Sequence, residues 1–501
     1  TGASNTAVGN NALRANTTAS SNTAIGYQAL YDNTTGAANV GVGYRSAYNN
    51  TTGGSNTAVG YQAYWTATTG AQNTILGYNA GYYITTASDN TYLGNDSGVN
   101  TTTGANNTAV GSDAFRANTT GAGNVAVGSA ALDANTTGTE NSAFGRNALG
   151  ANTTAGGNAA FGNYSANNNT TGVGNAAFGG ATPSVTNPTL SANTTGSYNT
   201  AIGIAALAAN TTASYNTAVG YLTFLAGTTG ASNTAVGSRA LQSNTTASSN
   251  TAVGYQAMYN NTTSPENVAV GYQALFTQTT ASSGQNTAVG HRAGVSTNGY
   301  YNSFFGYKAG ESSTGIANAF IGHGAGISMT SGNKNTILGG YSGNQGGLDI
   351  RTSANHIVLS DGDGNPRFII NNNGLPYSPV AYSTTTSSSA NMYIQSDGAF
   401  YRSTSSKRYK NTIEDATYGL TELLTLRPVT YKGNNDGDTV FGGLIAEEVH
   451  DAGLTEFVQY NDDGEPDAIA YGQMVSLCIK AIKEQQATIT TLTARITTLE
   501  G

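Results

Sequence analysis

One short sequence returns along this chain at a fixed interval. Asn5-Thr6-Ala7-Val8-Gly9 is its first copy, and the leading asparagine recurs at 22, 39, 56, 73, 90, 107, 124, 141, 158 and 175, a step of 17 each time. A longer step reaches Asn199, the period resumes at 216, 233, 250 and 267, and Asn286, Asn302, Asn318 and Asn335 follow at steps of 19, 16, 16 and 17. Self-similarity of this length marks a solenoid, in which each unit buries its apolar side only against its neighbours. That pattern outranks any local reading of the 501 residues.

One unit, Asn22 to Ala38, shows how a coil forms. If Thr23-Ala24-Ile25 is extended, successive side chains point to opposite faces. Gly26 ends this strand, Ala29-Leu30 adds an apolar contact, and Asn33-Thr34-Thr35-Gly36 reads as a turn whose glycine is free to take positive φ. Seventeen residues suffice for two short strands and two turns. Stacked at ~4.8 Å per coil, 20 units make a rod of about 100 Å. Asn5, Asn22, Asn39, Asn56 and Asn73 are expected to form a structural ladder, each amide bonded to the next, as in other stacks of parallel strands. The alanine between Thr and Val widens to Ile75, Tyr92, Phe304, Phe320 and Ile337, so this position is expected to face a partner chain.

Tyr27, Tyr44, Tyr61 and Tyr78 share one place in successive units. They are either a self-stacking ladder over the turn or a surface that packs sugar rings against aromatic faces. Asp96 and Asp113 also share a place, about one strand spacing apart, which is the separation of a retaining glycosidase pair. No third polar partner recurs beside them, so they read as exposed turn residues. His291 and His323 read as isolated surface histidines. The Asn-Thr-Thr triplets fit a glycosylation acceptor pattern but occupy turn positions that require those residues. Residues 181–192 carry a seven-residue insertion with Pro183 and Pro188. Proline cannot donate to a ladder, so the insertion is expected to leave the coil as a loop.

Composition divides the chain. Charged residues number 16 in 1–340, 6 in 341–400 and 24 in 401–501. The reading is a β-solenoid shaft over 1–340, a connector over 341–404 and a small α+β domain over 405–501 with a C-terminal helix over 472–500. In the connector, Asp361-Gly362-Asp363-Gly364-Asn365-Pro366 resembles a calcium loop, but proline occupies the place that requires glycine and the closing glutamate is missing. It reads as a turn between Ile357-Val358-Leu359 and Phe368-Ile369-Ile370. Ser383 to Ser389 reads as a thinly packed neck.

The net charge of −8 leaves no electrostatic footprint for nucleic acid or an anionic membrane. No apolar run reaches the length of a membrane span. The single cysteine, Cys478, excludes an intrachain disulfide framework, and no metal or cofactor motif is present. Thr1-Gly2-Ala3 matches the linker before later units, so the numbering is expected to start inside an array, with any anchor upstream of it.

The repeat resembles the head units of trimeric autotransporter adhesins, the YadA-like left-handed β-roll, and the arrays of phage tail fibres. Its unit is longer than the usual adhesin one. The resemblance implies a homotrimer of parallel chains. The C-terminal sequence is similar to the intramolecular chaperone of endosialidases and other phage tailspikes, peptidase family S74. The matching stretches are Ser405-Ser406-Lys407-Arg408-Tyr409-Lys410-Asn411, Tyr418-Gly419-Leu420 through Pro428-Val429-Thr430-Tyr431, Gly442-Gly443-Leu444-Ile445-Ala446-Glu447-Glu448-Val449 and Tyr471-Gly472-Gln473-Met474.

That resemblance implies a Ser405/Lys410 catalytic dyad that cuts the chain once between Ser405 and Ser406. A neutral lysine would take the serine proton, with Lys407 and Arg408 lowering its pKa. Ser406 stands where the family more often has Asp. The final helix carries Val475, Ile482, Ile489 and Ile496 at one heptad position and Cys478, Leu492 and Leu499 at the other, interrupted by Gln485, a pattern compatible with a trimeric coiled coil. The functional expectation is a trimeric phage tail fibre for attachment to a host cell-surface receptor, with a glycan as a candidate. Its C-terminal chaperone would set trimer register, since identical units pair out of step at nearly equal energy. The alternatives are a bacterial cell-surface adhesin of similar build and a glycan-degrading tailspike.

Overall fold

The structure is a computed structural model that describes residues 2–181, 187–278, 284–378, 392–394, 400–402, 408, 410–434, 437–461 and 463–501. It separates into two compact units, Thr1–Thr385 and Thr386–Gly501.

The first unit is a solenoid of one strand per coil. Twenty three-residue strands run from β1 (Thr6–Val8) to β20 (Thr336–Leu338). Each pairs in parallel with the next at the same place in the repeat, as in Thr6↔Thr23, Ala7↔Ala24 and Val8↔Ile25. The insertion leaves this register intact, because Ala176, Ala177 and Phe178 pair with Thr200, Ala201 and Ile202. Its residues 182–186 lie outside the described residues.

The stack runs past residue 340. After the hairpin β21 (Asn344–Gln345) and β22 (Leu348–Asp349), strand β23 (Ile357–Ser360) adds to β20 in parallel. The chain then reverses through β24 (Pro366–Ile370) and β25 (Pro376–Tyr377), both antiparallel. In the turn between β23 and β24 the Asp361 carboxylate accepts the Asn365 N–H at 2.8 Å and the Arg367 Nε–H at 2.9 Å. The Asn365 backbone bond above all, with Arg367, holds its pKa down at about 2. An arginine thus occupies the place a cation would take. Residues 383–389 lie outside the described residues.

The second strand expected in each coil is absent. In its place lies a turn with two left-handed residues around a buried alanine: Gln28 (φ 53°), Ala29 and Leu30 (φ 49°). Such residues cost energy individually and persist where their surroundings over-determine them. Here the Gln28 N–H donates to Asn10 O in the coil before, at 2.9 Å, and the Leu30 N–H to Ser46 O in the coil after, at 2.9 Å. The alternation of conformations aims successive amides up and down the stack, so the turn is bonded on both sides. The glycine after each strand is fixed by close approach: a Cβ on Gly26, at φ +134°, would sit 2.3 Å from Gly43 O.

The strand alanine faces the coil interior and not a partner chain. Ala24, Ala58 and Ala109 are fully buried within one chain, as are the larger Ile75, Tyr92, Phe304 and Phe320. Interior volume explains the widening. Where the alanine is kept, the residue six places on is commonly large: Leu30, Tyr64, Phe115, Leu132. Where the strand residue grows, that place becomes Gly81, Gly98, Gly310 or Gly326. A Cβ on Gly98 would come within 2.4 Å of the Tyr92 ring, and one on Gly310 or Gly326 within 2.5 Å of Phe304 or Phe320. The two places exchange volume across one small core, as close packing requires.

The second unit begins with a hairpin of β26 (Met392–Ile394) and β27 (Phe400–Arg402). It continues with α1 (Leu420–Leu423), the hairpin β28 (Val429–Lys432) and β29 (Val440–Gly443), α2 (Ala446–Asp451), the hairpin β30 (Val458–Tyr460) and β31 (Pro466–Ile469), and α3 (Tyr471–Glu500). Its small core joins Val449, Leu454, Phe457 and Val458 to Met474 and Leu477 at the root of α3. Lys480 and Glu484, one turn apart on α3, clasp the segment before α1. Lys480 Nζ donates to the carbonyls of Ala416 and Thr417, and Glu484 Oε2 accepts the Leu420 N–H at 2.7 Å.

Candidate functional surfaces

The expected asparagine ladder is present and buried. The Asn39 N–H donates to Asn22 Oδ1 at 2.8 Å, Asn56 to Asn39 at 2.9 Å and Asn73 to Asn56 at 3.0 Å. Most Nδ2 groups also donate to a carbonyl that closes the coil, as from Asn22 to Gly36 at 3.0 Å, whereas the buried Asn250 Nδ2 has no partner among the described residues. Asn5 opens the ladder through the Asn22 N–H at 2.9 Å. At the far end His356 takes the asparagine's place, its N–H donating to Asn335 Oδ1 at 2.9 Å. Its ring is buried, with Nδ1 unpaired among the described residues, and burial lowers its pKa. A second ladder runs through Asn33 and Asn50, with Asn50 Nδ2 donating to Asn33 Oδ1 at 3.0 Å. Those side chains belong to the Asn-Thr-Thr triplets and are fully buried, so these triplets serve the core.

Tyr27, Tyr44, Tyr61 and Tyr78 stack in line, with centroids 5.3, 5.0 and 5.1 Å apart and rings within 10° of parallel. A ring stacked on both faces offers its edge and hydroxyl to solvent, so a sugar would find open faces only at the ends of the stack. His291 and His323 are not isolated. They stand in the tyrosine place of their own coils, His291 between Tyr272 and Tyr307 at 4.9 and 5.2 Å, and His323 on Tyr307 at 4.9 Å. The coil does not need these rings: Asn95, Ser112 and Ser129 fill the same place while the strands stay in register.

A second aromatic row escaped the sequence reading. Tyr31 stacks on Tyr48 at 4.9 Å, Trp65 then turns 83° to Tyr48, and Tyr82 lies at 82° to Trp65. Arg45 sits between the rows, 5.2 Å from the Tyr44 ring and 5.5 Å from Tyr48. Asp96 and Asp113 occupy left-handed turn positions, Asp96 beside Asn95 Nδ2 and Asp113 in an ion pair with Arg116 at 3.9 Å. Nothing in those contacts prepares one carboxyl as an acid and the other as a nucleophile.

The outward strand face is the more consequential surface. The third residue of all twenty strands is Val, Ile, Leu or Phe, and it points away from the coil interior. Val8 is 57% exposed, Leu76 45% and Leu338 49%. Phe144, Phe161 and Phe178 stack within this row at 4.7 Å. The signal was present in the sequence as period-2 alternation about the alanine, with the two faces assigned the wrong way round.

On α3, only Met474, Leu477 and Ala481 are buried, and every residue from 482 onward is exposed. Val475, Ile482, Ile489, Leu492, Ile496 and Leu499 lie open at heptad spacing. Cys478 is exposed among them. Of the expected dyad, Ser405 lies outside the described residues, together with Ser406 and Lys407, while Lys410 and Arg408 are exposed.

These features define a β-solenoid repeat protein with a second unit of short hairpins and helices. No family model, curated protein or solved structure matches the chain. Among the described residues no helix is long and apolar enough to cross a membrane.

Proposed function

We propose that this chain is the shaft and assembly domain of a homotrimeric fibre that attaches to a host or other cell surface. The observation that carries it is the unbroken apolar row on the outward strand face, continued in kind by the open heptad stripe of α3. At on the order of 50 Å² of apolar side chain per coil, the row offers about 1,000 Å², comparable with the ~800 Å² per partner of a stable interface. Exposed apolar patches of that size mark association sites, and the last turns of α3 have nothing among the described residues to pack on. An isolated helix is marginal in water, so a coiled-coil partner is the economical explanation. Parallel identical chains suit a surface that repeats every coil. The YadA-like β-roll, the tail-fibre setting and the chaperone role of residues 405–501 belong to this reading.

Self-cleavage between Ser405 and Ser406 by Lys410 is part of the same proposal. The test pairs two measurements on the expressed chain. Light scattering on a sizing column reads trimer mass for the wild type and a smaller species for the Ile489→Asp/Ile496→Asp variant. Gel electrophoresis shows the loss of a C-terminal fragment of 96 residues in the wild type and none in Ser405→Ala. A monomeric wild type sinks the fibre reading. Identical full-length bands sink the cleavage and leave assembly standing.

A further inference from the structure

We infer that the trough beside Tyr83 is a binding subsite for a neutral polysaccharide lying along the coil stack. This names the ligand class within the attachment reading and rests on it. Tyr83 is the one bulky side chain at its place in the repeat. The same place holds Asp32, Asn49, Thr66, Asn100 and Ala117 in neighbouring coils, and Ala, Asn, Ser or Thr in all the others. Its backbone is ordinary, with the Tyr83 N–H donating to Val99 O at 2.9 Å as the Asp32 N–H does to Tyr48 O. The coil therefore needs no tyrosine there. Tyr83 is also not consumed by a ladder: among the described residues its ring meets only that of Tyr82, at 71° and 4.6 Å, and it is 49% exposed. It is an aromatic ring turned out of the stack, where one face can be covered by a ligand.

The ring borders a trough of about 520 Å³, within the usual range for small-molecule sites. Thr66, Asn100 and Ala117, at Tyr83's own place in the repeat, line it together with Thr85, Thr102 and Thr119, two residues further along the coil. The threonine hydroxyls already donate along the stack: Thr85 to Thr102 O at 3.1 Å, Thr102 to Thr119 O at 3.0 Å and Thr119 to Thr136 O at 3.1 Å. Their oxygens are left to accept, and their methyls supply apolar surface. The Asn100 side chain is exposed and supplies donors. No lining residue is charged.

A mostly apolar wall of threonine methyls and one tyrosine ring, with no cation among its residues, disfavours phosphate, sulfate or uronate. It suits the C–H faces of sugar rings, which pack on the aromatic face and the methyls, with the Asn100 amide and the threonine oxygens left for a few hydroxyls. The threonines recur every ~4.8 Å, close to the advance of one pyranose along an extended chain, so successive rings meet equivalent groups.

The test is calorimetric titration of the full chain with neutral hexose oligosaccharides of graded length, beside uronate-containing and sialylated ones. Binding is expected within the neutral set only. Tyr83→Asn, which installs the residue other coils carry, should weaken it at least tenfold with an unchanged melting curve, and Ala117→Glu should abolish it. Absence of binding to every neutral oligosaccharide, or equal affinity in Tyr83→Asn, overturns the subsite. If the variant chain still trimerises and attaches to cells as the wild type does, the fibre reading survives and the trough alone falls.

Discussion

A buried asparagine is an expensive residue unless its polar atoms are met, and this chain meets most of them by repetition. Asn56 Oδ1 accepts both the backbone N–H and Nδ2 of Asn73 at 3.0 Å, while its own Nδ2 donates to Gly70 O at 2.9 Å. Asn56→Ala strands the buried Asn73 N–H, while Asn73 Nδ2 keeps Ala87 O and Gly70 O keeps the Tyr64 hydroxyl, and should cost about 1–3 kcal/mol, read as a lower denaturation midpoint. A change at the exposed Thr35 should do almost nothing. His356 tests the same ladder at its end. Burial lowers its pKa in the folded chain, so the folded state holds fewer protons than the unfolded one just below the ordinary histidine value of about 6.5. Stability should therefore be full above that pH, decline as pH falls through the interval down to the lowered folded value, and level off beneath it. His356→Asn restores the ladder residue and should remove this slope from the melting temperature measured across mildly acidic pH, whereas an unchanged slope would place it elsewhere.

Within the coil, volume is shared between the strand's middle residue and the place six residues later. Gly98→Leu should be destabilising by at least about 1–3 kcal/mol through overpacking against Tyr92. Adding Tyr92→Ala recreates the Ala/Leu pair of coils such as Ala24 and Leu30, whose left-handed backbone at Leu30 (φ 49°) resembles that of Gly98 (φ 57°). The double variant should recover most of the loss, a coupling that a double-mutant cycle of denaturation curves measures directly. This exchange also shows what the sequence could and could not tell. The period, the strand and the Asn22–Asn39–Asn56 ladder were legible because identical residues one coil apart must meet. The facing of Ala24 was not, since alternation fixes that neighbours point apart but not which side is inside. Only the co-appearance of Tyr92 with Gly98, or Phe304 with Gly310, carries that information. The second expected strand failed for a different reason: Gln28 and Leu30 are not residues that announce a left-handed backbone, and the bonds that hold them there come from adjacent coils. Tyr83 was hidden because a lone tyrosine reads like the laddered ones until ring orientations are known.

Across the whole solenoid unit, stability should behave as a sum of coils and their interfaces, because each coil bonds mainly to its two neighbours. The fixed register makes a sharp comparison possible. Excising Asn107–Gly123 removes one complete 17-residue coil and joins Asn106 to Asn124 in unchanged phase. Asn124 would then meet Asn90 as it now meets Asn107, and Val125 would pair where Thr108 stood. The first asparagine ladder and the outward apolar row would close over the gap, and Asn135 would meet Thr101 as Asn118 now does. The protein of that length should fold, keep its unfolding midpoint within a few degrees, and assemble as the parent does. Excising about half that stretch places strand residues opposite turn residues and buries unmet amides on both sides of the cut. It should unfold the adjoining coils, seen as a lost fraction of β signal and new proteolytic sites near residue 107. Equal tolerance of the two deletions would mean that neighbour-to-neighbour register is not what holds the stack. A whole-coil deletion that collapses the entire unit would mean that contacts beyond adjacent coils are.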